Sequence, residues 1–206
     1  MRFLLTIRFP DNTPIPGTSF TVSSDEKLRE GLALVKKDNG YWPTEDTTQV
    51  AHGVISMWAP ELVIVNEDLT EILLTLYETD DPRLAIFKDK WHMPGGYNRW
   101  HETFAQTCER IAKREVGTAV HATETQTIGS FKWESITDDP VDGHPYGRPL
   151  SVYTWAIPMN KVEETDKRRF FLFDDLPSRL IGGAHRHFFE NHKKYVTRLK
   201  FLKTLE

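Results

Sequence analysis

The sequence has little of what marks secreted, membrane-spanning or nucleic-acid-binding proteins. Cys108 is the only cysteine among 206 residues, which excludes an intrachain disulfide. No stretch approaches the roughly 18 apolar residues of a spanning helix, and the apolar run near the amino terminus is short and interrupted by Arg8, unlike a signal peptide. A formal net charge of -4 gives no global attraction to nucleic acid or to an anionic membrane. We therefore expect a cytoplasmic protein that binds neither nucleic acid nor membrane.

What is present is the composition of an ordinary globular chain, with 39% hydrophobic and 27% charged residues. A polar stretch at residues 36–49 carries the breakers Gly40 and Pro43. It separates an N-terminal segment, residues 1–45, from a main domain, residues 46–206. Within the segment, residues 2–9 are predicted to form a strand and residues 24–37 a helix. Their apolar faces need cover, so we expect them to pack on the main domain or on a second subunit, as in a homodimer.

The main domain alternates strand-like and helix-like stretches. The helix predictions cover residues 103–116, where Thr103 and Gln106 form a possible capping box, and residues 185–202. A loop of about a dozen residues, 137–149, is rich in proline, glycine and aspartate, and loops of this length are often functional. Strands are predicted at residues 50–58, 61–65, 71–77, 127–133, 150–158 and 170–173.

One motif carries chemistry, in residues 90–118. From Gly96, five residues lead to Glu102 and seven more lead to Arg110; Glu115 and Gly117 follow at fixed spacing. The lead-in is Trp91, Pro94 and Gly95. The whole resembles the Nudix box, G-x5-E-x7-R-E-U-x-E-E-x-G-U, where U is a bulky aliphatic residue. This resemblance implies an α+β fold, a Nudix-type α/β/α sandwich with a mixed sheet and a loop–helix–loop box.

The box departs from the family pattern at four positions, of which Ala112 and Thr118 replace bulky aliphatic residues. Ile111 and Arg114 stand where the family has two further glutamates, which in typical members bind two or three magnesium ions at a diphosphate. One carboxylate can still hold one ion, because Mg²⁺ is often bound by one or two carboxylates with phosphates and waters completing its shell. The resemblance therefore implies a single Mg²⁺, or Mn²⁺ in its place, on Glu115 and the carbonyl of Gly95.

The retained pattern is similar to the box of GDP-mannose mannosyl hydrolases, which lack the same two glutamates. That similarity implies attack at the anomeric carbon of a nucleotide sugar, with one cation on the departing diphosphate. The histidine that serves as base in those enzymes has no counterpart here. The candidates in the long loop are His144, whose residue type suits a general base, and the aspartates Asp138, Asp139 and Asp142.

The remaining candidate residues surround the box. Tyr97, Arg99, Trp100 and Tyr146 are predicted to contact substrate. Arg110 and Glu115 are grouped with His144 as catalytic residues, although the family favours for Arg110 an ion pair that holds the loop to the helix. Gly96, Glu102 and Gly117 are predicted to shape the box. The histidines His185, His187 and His192 are predicted to lie on an exposed helix face.

Two functions follow from these observations. The first is hydrolysis of a small-molecule nucleoside diphosphate derivative, with a nucleotide sugar as the specific hypothesis. The alternative is a Nudix fold that has lost catalysis and binds a nucleotide or a protein partner. It is favoured by Arg114, whose charge can neutralise the neighbouring Glu115.

Overall fold

The structure is a computed structural model, and it describes the backbone of residues 3–8 and 14–22 and then residues 58–99, 102–134, 139, 142–145 and 148–205. The chain forms two compact units, Met1–Ala51 and His52–Glu206. No helix among these residues is long and apolar enough to cross a membrane.

The first unit contains an antiparallel hairpin. Strand β1, Phe3–Arg8, pairs with β2, Pro14–Val22, from Phe3↔Val22 onward, with an irregularity between Thr6 and Arg8. Strand β1 corresponds to the strand predicted over residues 2–9, whereas β2 was not predicted. The helix predicted over residues 24–37 lies outside the described residues.

In the second unit, short sheets form a mixed arrangement. The strands are β3 Trp58–Val63, β4 Glu71–Leu76, β5 Trp91–His92, β6 Val120–His121, β7 Thr127–Lys132, β8 Leu150–Trp155, β9 Ile157–Pro158 and β10 Arg168–Leu172. Strand β3 is parallel to β8, and β8 is antiparallel to β7. A second sheet has the order β10-β4-β5, and β6 pairs with β9.

Helix α1, Phe104–Ile111, follows the box loop as predicted. The Thr103 hydroxyl accepts from the backbone N–H of Gln106, and the Gln106 side chain accepts from that of Thr103, so the predicted capping box is present. The helix continues as a π-helical turn, Ala112–Val116, and ends at Gly117, whose φ of 78° suits glycine. Such turns often occur at functional sites.

Two apolar clusters lie on the two faces of the strands. Alternation along a strand sends Leu62 and Ile64 to one face and Val63 to the other. The first face packs against α1 through Cys108 and Ile111, which are both fully buried. The opposite face packs against the C-terminal helices, through the buried side chains Tyr153, Phe188, Tyr195 and Leu199. Helices therefore cover both faces of the strands, which confirms the predicted fold class.

The C-terminal helix predicted over residues 185–202 is two helices. Helix α2, Ala184–Glu190, and helix α3, His192–Lys203, are separated at Asn191. The Asn191 side chain donates to the carbonyl of His187 at 2.8 Å. An asparagine that bonds nearby backbone competes with helix continuation, which explains the break.

Candidate functional site

The box loop lies against strand β3. The N–H of Leu62 donates to the Pro94 carbonyl at 2.7 Å, and Glu61 pairs with Gly95 in an antiparallel bridge. A Cβ at residue 95 would lie 2.0 Å from Oε2 of Glu61. Glycine is therefore required at this position because the Glu61 side chain fills the space beside it.

Glu102 and Arg110 form a latch between the loop and helix α1. Nε and Nη2 of Arg110 donate to the two carboxylate oxygens of Glu102 at 2.7 and 2.8 Å, and Nη2 also donates to the Tyr97 carbonyl at 2.7 Å. Partial burial opposes ionisation of Glu102, but the bonds from Arg110 and Thr107 outweigh it and hold the pKa of Glu102 below its ordinary value. The latch therefore fixes the loop geometry. It also holds the guanidinium of Arg110 at the loop, away from the residues at the end of the helix.

The π-helical turn brings Arg114 and Glu115 back to Gly95. Nη2 of Arg114 donates to the Gly95 carbonyl at 2.9 Å and forms an ion pair with Oε1 of Glu115. Oε2 of Glu115 accepts from the Gly95 N–H at 3.1 Å. Both groups of the glycine are thus bonded to adjacent residues of the turn, and we call these three residues the Arg114 clamp.

The contacts of the Arg114 clamp decide whether the ligands of the implied magnesium site are available. Its two expected ligands, the Gly95 carbonyl and the Glu115 carboxylate, are the groups that Arg114 bonds. Glu61 is the next carboxyl, but it is buried and its Oε1 is already bonded to the Ser151 hydroxyl. Among the described residues, no three His, Cys, Asp or Glu side chains converge to hold a metal ion. The residues in this arrangement do not fit a bound magnesium ion.

A cavity of about 240 Å³ lies beside the clamp. Its lining includes Arg114, Glu61, Tyr97 and three histidines, His92, His144 and His185. The Tyr97 hydroxyl lies 3.4 Å from Nε2 of His144. The structure thus brings a predicted base, His144, and a predicted substrate-contact residue, Tyr97, to one space beside Gly95 and Gly96.

Two of these histidines are buried. His92 lies with Nε2 3.3 Å from the Thr75 hydroxyl and 3.9 Å from Oε2 of Glu115. Nδ1 of His185 accepts from the N–H of Met93 at 3.4 Å. Burial lowers the pKa of both imidazoles, so they are neutral at pH 7. The prediction that His185 lies on an exposed face is therefore wrong: its side chain points into the interior, where a backbone donor satisfies it.

A second cleft, of about 550 Å³, shares Tyr77, His92 and Arg114 with the first. Arg168, the first residue of β10, and the preceding Lys167 add positive charge to its lining. Arg168 donates to two backbone carbonyls, those of Glu163 and Glu115. The three cations of this cleft, Arg114, Lys167 and Arg168, suit a phosphate-bearing ligand.

The other predicted residues are distributed around these cavities. Arg99 lies 3.9 Å from Oε1 of Glu102, on the loop side of the latch. Asp142 pairs with Arg186 at 2.7 Å and accepts from the Gly183 N–H, so its carboxylate is engaged by the N-terminal end of α2. Trp100, Asp138 and Tyr146 lie outside the described residues. Asp139 accepts from the Asp142 N–H at 2.9 Å, within the long loop.

Sequence reasoning missed Glu61 as a site residue. Oε1 of Glu61 accepts from the Ser151 hydroxyl at 2.8 Å, and the Ser151 oxygen accepts from Nε1 of Trp133 at 2.8 Å. The side chain is 6% exposed. The available signal was a single carboxyl within an otherwise apolar strand, Trp58–Val63, because a buried acid needs a specific environment.

We expect Glu61→Gln to change how stability depends on pH. Between about pH 4.5 and 8, the folded state keeps a proton on Glu61 that the unfolded state releases, so this group makes the protein less stable as the pH rises. Glutamine cannot ionise. The free energy of unfolding of the variant relative to the parent should therefore increase by on the order of 2–4 kcal/mol from pH 5 to pH 8.

Urea unfolding at a series of pH values measures this difference. Glu109→Gln is the matched control, since it makes the same change at a half-exposed glutamate on α1, and the pH-dependent difference should be larger for Glu61→Gln. A difference for Glu61→Gln that does not change with pH would contradict the raised pKa of Glu61.

Comparison with known proteins supports the fold. No protein-family model and no curated protein match the chain. A possible asymmetric diadenosine tetraphosphate hydrolase from Jonesia denitrificans aligns over 71% of this chain and 98% of its own, at 11% identity and a TM-score of 0.55. A MutT Nudix hydrolase from Burkholderia pseudomallei aligns over 65% of this chain and 95% of its own, at 21% identity and a TM-score of 0.48. The chain has the fold of the Nudix hydrolases, as the box predicted.

Proposed function

We propose that the chain binds a nucleoside diphosphate derivative beside the Arg114 clamp and hydrolyses it. The specific ligand is a nucleotide sugar, cleaved between the anomeric carbon and the phosphate oxygen. The observation that carries the proposal is that His144 and Arg114 line the same cavity. A proton acceptor and a fixed positive charge therefore border the space in which a ligand would react.

The reaction needs few protein groups. His144 accepts a proton from water as the water oxygen attacks the anomeric carbon. The carbon–oxygen bond breaks, and its electron pair stays on the phosphate oxygen of the departing nucleoside diphosphate. The guanidinium of Arg114 balances the charge that develops there. The products are the free sugar and the nucleoside diphosphate, and the proton remains on His144.

The diphosphate has a suitable place in the adjoining cleft. That cleft shares Arg114 with the His144 cavity and adds Lys167 and Arg168, so a ligand that spans both spaces can set its phosphates among cations and its sugar near His144. The ligand class comes from the resemblance of the box to those of nucleotide-derivative hydrolases. The Jonesia denitrificans protein, named as a possible diadenosine tetraphosphate hydrolase, belongs to the same broad class.

The position of bond cleavage tests the proposal. A panel of nucleotide sugars is hydrolysed in water labelled with heavy oxygen, and both products are analysed by mass spectrometry. Label in the free sugar is the expected result, because the attacking oxygen ends on the carbon. Label in a nucleotide or phosphate product means attack at phosphorus and rejects this mechanism.

Binding without hydrolysis is a second candidate function. It is favoured by the ion pair between Arg114 and Glu115, which engages the one box carboxylate at the end of the helix. Calorimetric binding of a nucleotide sugar with no product after prolonged incubation would select this function over catalysis.

A further inference from the structure

In the Arg114 clamp, a guanidinium bonds the two oxygen groups that would otherwise bind a metal cation. We infer that the guanidinium of Arg114 takes the place of a divalent metal ion, so that the chain binds a nucleoside diphosphate without one. This inference deepens the proposed function and rests on it, since it identifies the source of the charge that the diphosphate requires.

The bonding of Arg114 supports the substitution. Its Nη2 reaches the Gly95 carbonyl at 2.9 Å, and its Nε lies 3.1 Å from Oε1 of Glu115. A carbonyl oxygen and a carboxylate oxygen are the ligands that a hard cation would take. The guanidinium bonds both, and its charge cannot be lost, because arginine stays protonated in proteins.

The clamp still leaves Arg114 available to a ligand. Its side chain is 56% exposed, and it lines both cavities. The bonds just described use Nε and Nη2, and no bond from Nη1 to another described residue is found. A planar guanidinium with a further donor edge is suited to a phosphate, which it can bond through two parallel N–H groups.

The second cleft is positively charged without a metal. Lys167 is paired with Glu78 and Arg114 with Glu115, so these four charges cancel. Arg168 bonds carbonyls, and no ion pair to it is found among the described residues. The cleft therefore carries one positive charge in excess, in addition to the fixed dipoles of its donors, and it attracts an anionic ligand as it stands.

Reversing the charge at residue 114 tests the inference through metal binding alone. Arg114→Glu would place two adjacent carboxylates beside the Gly95 carbonyl, and we expect saturable binding of one Mn²⁺ per chain, with affinity at least about tenfold above that of the parent. Free Mn²⁺ is followed by electron paramagnetic resonance. Lys113→Glu is the matched control, with the same change of charge on the neighbouring exposed residue, which pairs with Glu109, and it should behave as the parent does.

A second measurement uses ADP as the probe. The affinity of the parent for ADP should be the same within about twofold in EDTA and in excess Mg²⁺, whereas Arg114→Gln should lose at least about tenfold in EDTA. Lys113→Gln should lose none. Unfolding midpoints establish that the variants are folded, which the exposure of Arg114 favours.

The outcomes separate this inference from the proposed function. Equal Mn²⁺ binding by the parent and Arg114→Glu overturns the inference, as does ADP binding by the parent that requires Mg²⁺. Binding of neither ADP nor any nucleotide sugar, with or without Mg²⁺, rejects the ligand class of the proposed function, while the Mn²⁺ measurement still decides the role of Arg114.

Discussion

His144→Gln is expected to reduce kcat for nucleotide-sugar hydrolysis by about 10²–10⁴-fold, the usual contribution of a general base. Glutamine keeps a polar side chain of similar reach but cannot accept a proton at neutral pH. Its amide can still contact the Tyr97 hydroxyl, which lies 3.4 Å from His144 in the parent. We therefore expect KM to change little, because the loss falls on the chemical step and not on ligand binding.

The loop aspartates supply the control for this prediction. Asp142→Asn removes a carboxylate that pairs with Arg186 and accepts from the Gly183 N–H. We therefore expect it to lower the free energy of unfolding, and to lower kcat less than His144→Gln does. Steady-state kinetics of both variants, on whichever nucleotide sugar is the best substrate, make the comparison. A larger loss of kcat in Asp142→Asn than in His144→Gln would identify the aspartate, and not the histidine, as the general base.

Gly183→Ala is expected to lower the free energy of unfolding by about 3–5 kcal/mol, from backbone strain and overpacking together. Gly183 has a φ of 56°, which a residue with a side chain rarely adopts. A Cβ there would also lie 2.0 Å from the ring of Trp133. That ring is buried and bonded to Ser151, so it cannot move without breaking the network that holds Glu61.

Gly96→Ala is the matched substitution, measured in the same urea unfolding experiment. A Cβ at residue 96 would lie 3.2 Å from Nη2 of Arg114, and the end of that exposed side chain can shift. The expected cost is below about 1 kcal/mol. Equal losses in the two variants would mean that neither the φ of Gly183 nor the Trp133 ring determines the cost.

The local parts of the site could be predicted from the sequence. The spacing from Gly96 to Gly117 gave the loop, the capped helix and its end, because these features depend on residues close together in the chain. The spacing also placed Arg114 beside Glu115, although not the bond from Arg114 to the Gly95 carbonyl. That bond depends on the π-helical turn, which rotates the last residues of the helix relative to regular α-helical geometry.

The long-range parts could not be predicted in the same way. Glu61 reaches the site because β3 lies parallel to β8 and bridges to Gly95, which brings together residues distant in sequence. His185 arrives from the start of α2, 92 residues after the backbone group that it bonds. Periodicity alone placed it on an exposed face, since a helical pattern does not show which neighbour covers each side of a short helix.

The latch between Glu102 and Arg110 has a consequence for how this fold can change its chemistry. The latch fixes the loop with residues upstream of position 111, whereas the charge of the site is set at positions 114 and 115. Substitutions at positions 114 and 115 remove bonds to Gly95 but leave the latch in place. We therefore expect variants at positions 114 and 115 to fold while the charge of the site changes. The residues that hold the loop to the helix, Glu102 and Arg110, differ from those that set this charge, which leaves the charge open to change.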